Sequence, residues 1–266
     1  MHAQKRFTWI LLLAVFTLGG CATLELIPSA PGAKNSDAIL ILPGLGMKGS
    51  ALDDMHAFAQ HANAAGFDVF LADYQRRKSV DAGVEALHHF VEYQNLSDYE
   101  RIHVFAYILG GYTLNRFLEK YPMDNLANVV YDRSPLQELA PRLASEGWFS
   151  ILSWMAIGPV ISDLAKTPYA PVPLSNAYQI GLIVENRATR FIRKRKKRAL
   201  SIRPLTFEPD SLGQPFDAAM HVRFNHDEMY SNFDVIGPEL IHFFAFGDFS
   251  ESAPRHPLGI DPFTKH

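Results

Sequence analysis

The five residues Ala106-Tyr107-Ile108-Leu109-Gly110 occupy the place of a nucleophile elbow, with an isoleucine where the nucleophile belongs. Ile102 to Ala106 reads as a short buried strand, and Gly110 to Lys120 as an amphipathic helix stopped before Pro122. A Gly-x-Ser-x-Gly turn at such a junction lifts a serine hydroxyl above the sheet, within reach of a base. Ile108 has no lone pair and no proton to lose, so acyl transfer cannot begin there. Ser134, in Tyr131-Asp-Arg-Ser-Pro135, is the best displaced nucleophile, since it follows a strand-like run beside an acid and an arginine. The same residues also read as a turn shaped by Asp132 and Ser134 ahead of Pro135, and that reading is preferred.

Other chemistry is weakly supported. His88 and Glu92 share a helical face, but no third ligand accompanies them. His221, His226 and Asp227 are too loosely spaced for a zinc signature, so no metal is assigned. Pro43 to Gly49 is glycine-rich but lacks the Lys-Ser/Thr pair of a phosphate loop, so no nucleotide and no cofactor is expected. A net charge of −3 argues against nucleic acid. The local exception is Arg187 to Arg198, which crowds eight Arg and Lys residues into one segment and suits anionic lipid headgroups or a solvated helix equally.

The elements that must position these residues alternate. Ala38 to Leu42 is a continuous apolar run that suits a strand buried on both faces, and Phe67 to Leu71 is the next strand. Helical spacing fills Ala51 to Ala65, and a second helix starts after Ser79, a suitable N-cap. Asn128 to Tyr131 is a further strand ending at Asp132. This rhythm predicts an α/β fold, a mostly parallel sheet flanked by helices, with its site at the carboxyl ends of the strands. From about 136 to 199 the rhythm gives way to Leu, Ala, Trp and Ile interrupted by prolines, which suggests a helical lid insertion. Leu143, Trp148, Phe149, Ile151, Trp154 and Ile157 would line an apolar pocket beneath it. Two last strands are expected between Ala199 and Phe224, then a closing helix from Pro238 to Phe246.

The N-terminus reads as an export signal. Lys5 and Arg6 precede an apolar run from Phe7 to Leu18, too short for a membrane span of about 20 residues. Leu18-Gly19-Gly20-Cys21 resembles a bacterial lipobox, which implies a signal peptide over 1–20 and lipidation at Cys21. Residues 21–36 then form a tether and 37–266 the folded domain. Ala22 after the cysteine favours the outer membrane, facing the periplasm. Cys21 is the single cysteine, so no intrachain disulfide forms.

Residues 36 to 134 together resemble the α/β-hydrolase-fold family of lipases and esterases. Pro43-Gly44-Leu45-Gly46-Met47 is similar to that family's oxyanion loop, and Ala106 to Gly111 to its elbow, in degenerate form. The resemblance implies a catalytic histidine at His226, after the last strand-like run. It implies an acid at Asp210, after the penultimate strand-like segment, or at Asp132, after the strand that follows the elbow. With Ile108 at the nucleophile position, the expectation is a cell-envelope pseudoenzyme that binds an apolar or acyl ligand or a partner. An atypical esterase using Ser134 and His226, or an envelope scaffold, are the alternatives.

Overall fold

A computed structural model describes residues 35–44, 50–75, 78–146, 158–229 and 231–265. Six strands form one sheet: β1 (Asp37–Leu42), β2 (Phe67–Leu71), β3 (Arg101–Ala106), β4 (Leu126–Arg133), β5 (Gln179–Glu185) and β6 (Ala218–Val222). All neighbours pair in parallel, in the order β2-β1-β3-β4-β5-β6. Parallel strands need crossover connections, and the helices supply them: α1 (Ser50–Ala64), α2 (Val80–Tyr93) and α3 (Ile108–Lys120) follow β1, β2 and β3. The expected fold class is the observed one.

Strand alternation divides the core. Ala38, Leu40, Leu42, Val104 and Val129 face α2 and α3 through Val84, Leu87, Leu114 and Phe117. Ile39, Ile41, Phe105, Val130 and Ile183 face the opposite way, onto Met55 and Phe58 of α1 and onto Ile236, Leu240 and Phe243. Those last residues belong to the closing helix, which starts earlier than the sequence suggests, at Phe233, and runs through Pro238 to Phe246. Ser79 caps α2 as expected, its Oγ accepting from the Ala82 N–H at 3.1 Å.

The stretch 136–199 differs from its expectation. It contains a 3-10 turn (Gln137–Leu139), α4 (Ala140–Ala144) and α5 (Val160–Lys166), but also β5, a strand of the central sheet. The helices before β5 therefore end ahead of residue 179, and helical structure resumes only after that strand, from Arg190. β5 is a continuous apolar run of the same kind as β1, and its Gly181 lets the Phe243 ring lie against the strand. The first of the two strands expected after Ala199 is absent: α6 (Arg190–Arg193) and α7 (Lys196–Ile202) lead instead to a 3-10 turn at Pro209–Leu212. Of the proposed pocket lining, Leu143 is buried against Leu136, Leu139 and Ile192. Trp148, Phe149, Ile151, Trp154 and Ile157 lie outside the described residues, as do residues 1–34, Cys21 among them. Among the described residues no helix is long and apolar enough to cross a membrane.

Two buried histidines make the sheet acid-sensitive. His103 in β3 and His221 in β6 each receive a hydrogen bond at Nδ1, from Asn128 and Asn186 respectively, both at 3.0 Å. Burial pushes both rings from the ordinary 6.5 down to about 4, with Asp37 opposing the shift at His103. Each ring is therefore neutral in the fold, and its contribution is present above pH 6.5 and lost as pH falls through 4. Urea unfolding between pH 7 and 4 is expected to show declining stability, with a shallower decline in His103→Gln.

Candidate functional site

The chain leaves β1 towards one edge and resumes at β3 on the other side, so β1 and β3 flank the topological switch point, where parallel sheets bind ligands. α3 begins directly after β3. Tyr107 is its N-cap, at φ −64° and ψ 167°, and Ile108 is the first helical residue. Among the described non-glycine residues only Asn95 has a positive φ. The left-handed residue that strains a nucleophile elbow is thus missing along with the serine. A β-branched residue would be costly in that conformation, and Ile108 avoids it by joining the helix. The sequence places the junction correctly but predicts an elbow that does not form.

Gly110 and Gly111 serve packing instead. A Cβ on Gly110 would stand 2.5 Å from the Leu42 carbonyl oxygen, and one on Gly111 3.1 Å from the Tyr131 ring. The first turn of α3 therefore rests on the end of β1, where the Tyr107 N–H also donates to the Leu42 carbonyl at 3.1 Å. Gly44 is buried beside it; the Gln75 amide donates to its carbonyl and to that of Pro43 at 3.0 Å. Leu45 and Gly46 lie outside the described residues.

Two carboxylates meet at the carboxyl ends of β4 and β5. Val130 and Ile183 face the same core layer, so Asp132 and Glu185, each two residues further on, emerge on that same face. Both side chains are fully buried. α8 (His226–Met229) follows β6 and directs His226 between them. Its Nδ1 is 2.8 Å from Glu185 Oε1 and 3.5 Å from Asp132 Oδ2. Tyr107 stands edge-on to the imidazole, ring centroids 6.3 Å apart, and its hydroxyl donates to the Met229 carbonyl at 3.3 Å.

This cluster is electrostatically extreme. Burial, then the charge of Asp132, holds the Glu185 carboxyl well above the ordinary carboxylate range, against the pull of His226. Burial lowers the His226 pKa, but Glu185 and Asp132 more than offset this and push it up to about 10. The imidazole is therefore a cation at neutral pH. A general base works best with a pKa near the operating pH, so His226 is held in the wrong protonation state to deprotonate an alcohol.

The remaining candidates fall elsewhere. Ser134 is fully buried, and its Oγ accepts from the Gln137 N–H at 3.0 Å, as the turn reading requires. Asp210 is exposed in the Pro209–Leu212 turn and stands apart from the cluster. Its place as the acid after the penultimate strand belongs to Glu185, because that strand is β5. Arg133 points to the other face of β4, where it donates to Glu138 and to the Leu212 carbonyl, both at 2.7 Å, beneath the Tyr169 ring. The absence of a metal motif along the sequence also looks different in space. Asp132, Glu185 and His226 place one ligand atom each within 4.8 Å of one another.

The basic segment is two short helices with an apolar inner face. Ile192 and Ala199 pack on Leu136, Leu139 and Leu143. Part of its charge is already engaged: Arg198 pairs with Glu146 through both carboxylate oxygens, at 2.9 and 2.5 Å, and Arg195 lies over the Phe191 ring. Arg190, Lys194, Lys196 and Lys197 remain exposed to solvent.

No known family profile matches the chain, and no curated protein does. Solved structures do. Est1E from Butyrivibrio proteoclasticus is 10% identical, with a TM-score of 0.49, covering 82% of this chain and 89% of its own. Polyneuridine aldehyde esterase is 13% identical, with a TM-score of 0.46 and coverages of 78% and 98%. A marine microorganism esterase is 12% identical, also at 0.46, with coverages of 79% and 96%. Two of these are described as esterases, and a further neighbour, MGS-MChE2, as an α/β-hydrolase enzyme. At such identities the likeness concerns the arrangement of the chain and does not extend to its chemistry.

Proposed function

We propose that this protein is an exported, lipid-anchored member of the α/β-hydrolase-like proteins that binds an acyl or other apolar ligand without serine hydrolysis. The observation that carries the reading is Ile108 at the β3–α3 junction, helical and unstrained where an elbow would hold its nucleophile. The protonated His226 adds to it, since neither nucleophile nor base is then available. Lipid attachment at Cys21 and an outer-membrane location rest on the sequence pattern of the leader alone. Contact of the exposed Arg190, Lys194 and Lys197 with anionic headgroups would follow from that anchoring, each such charge being worth up to about 1 kcal/mol near the surface.

The test is labelling of the purified mature protein with a fluorophosphonate, beside Ile108→Ser and Ser134→Ala. The native protein is expected to remain unlabelled. Ile108→Ser is expected to stay unlabelled too, because a serine there would sit in an ordinary helical turn and not in the strained elbow that presents a nucleophile. Labelling of the native chain that disappears in Ser134→Ala would overturn the reading in favour of an esterase with a displaced nucleophile. The same preparation is expected to bind a fluorescent fatty acid saturably in the micromolar range; failure to do so removes the acyl ligand.

A further inference from the structure

Three buried oxygens at this site accept no hydrogen bond among the described residues, and one of them, Asp132 Oδ2, only faces His226 Nδ1 at 3.5 Å. Both oxygens of Asp132 and the Oε2 of Glu185 are sequestered from solvent with no hydrogen bond among the described residues. Buried carboxylate oxygens in folded proteins are nearly always satisfied, and exceptions point to something that completes them. A histidine cation between the two acids balances charge but occupies only Glu185 Oε1 at full hydrogen-bond distance.

We infer that Asp132, Glu185 and His226 form a binding site for a divalent transition-metal ion of the zinc class. The donors are one imidazole nitrogen and two carboxylates, a set that zinc accepts at about 2.0–2.2 Å per bond. Ligand atoms around such an ion stand roughly 3.4 Å apart in a tetrahedron, and the imidazole nitrogen lies 2.8 and 3.5 Å from the two oxygens. The two carboxylates come from the ends of paired neighbouring strands, so the sheet itself fixes their separation, and His226 comes from the helix that follows β6. On binding, the proton on His226 Nδ1 leaves to solvent and the neutral ring donates its lone pair to the ion. Three protein ligands leave a position for a ligand atom, such as the carboxylate of an acyl chain. This deepens the non-hydrolytic reading and rests on it, but fluorophosphonate silence does not depend on a metal, so the two can fail separately.

The experiment uses chelator-stripped mature protein in a His88→Ala/His89→Ala background, which removes the half-buried and the exposed histidine beside Glu92 on α2. Zn²⁺ is titrated calorimetrically, and Co²⁺ is followed by its visible absorption. One equivalent per chain at micromolar affinity or tighter is expected, with the intense visible band of four-coordinate cobalt. Loss of an outer partner of a metal ligand typically weakens binding 10–100-fold, so Asp132→Asn and Glu185→Gln are each expected to cost about 100-fold or more. No uptake by the native chain, only the weak band of hydrated cobalt, or unchanged affinity in both variants overturns the site. The cobalt band is read on the background protein with all three ligands intact, so a ligand variant that fails to fold does not blunt the test.

Discussion

Gly110→Ala is expected to destabilise the protein by about 3 kcal/mol, although alanine is the better helix former. Replacing glycine inside a helix normally gains about 1 kcal/mol from propensity. Here the added carbon would lie 2.5 Å from the Leu42 carbonyl oxygen and 2.8 Å from the Leu42 Cβ. The obstructing oxygen is backbone of a central strand and already accepts from Tyr107, so it cannot swing aside as a flexible side chain would. Overpacking of this kind typically costs 1–3 kcal/mol, occasionally more. Gly111→Ala is the internal control, because its new carbon meets the edge of the Tyr131 ring at 3.1 Å. Urea unfolding of the two variants should separate them by at least about 2 kcal/mol; equal stabilities would mean that α3 does not rest on β1 as described.

His226→Ala is expected to lose about 3 kcal/mol at pH 7, because it strands two buried carboxylates without a cation. Breaking a buried charge pair from one side costs about 3–5 kcal/mol, and the readiness of Glu185 to take a proton places this case at the low end. In a chain of this size that is a fall of roughly 6–12 °C in melting temperature. The contribution of His226, whose pKa is raised by folding, is fully present below pH 6.5 and fades as pH rises through about 10. Removing the neighbouring charge as well, in His226→Ala/Glu185→Gln, should restore part of the loss. A double variant no more stable than the single one would show that the three groups do not interact.

How far the sequence carries can be traced through particular elements. β1 to β4 and their helices are legible because each is a short apolar run bounded by a glycine, a proline or a capping residue. β5 has the same signature in Gln179-Ile-Gly-Leu-Ile-Val-Glu185, but the proline-broken, apolar stretch before it invites a helical reading. Losing that strand shifts the acid: Asp210 takes the place of Glu185, and the three-residue cluster at the strand ends vanishes from view. An acid closing an apolar strand, as Asp132 closes β4, is the signal that would have found it. The unstrained junction at Ile108 is a different matter. Residue types set where a strand hands over to a helix, but whether the turn adopts a left-handed residue depends on how α3 seats on β1.

The sheet order also governs how the chain can assemble. β1 comes first among the strands yet lies between β2 and β3, so its second edge stays open until residue 106 is in place. From β3 onward each strand adds beside the one made just before it, through β4 and β5 to β6. A chain threading out N-terminus first would thus nucleate around β1–β2, wait for the far side of β1 to be covered, and then extend along one advancing edge. Long-range parallel pairing is the slow step in such folds. The closure of β3 onto β1, which also seats the Tyr107–Ile108 junction, is where a kinetic delay and exposure to aggregation concentrate.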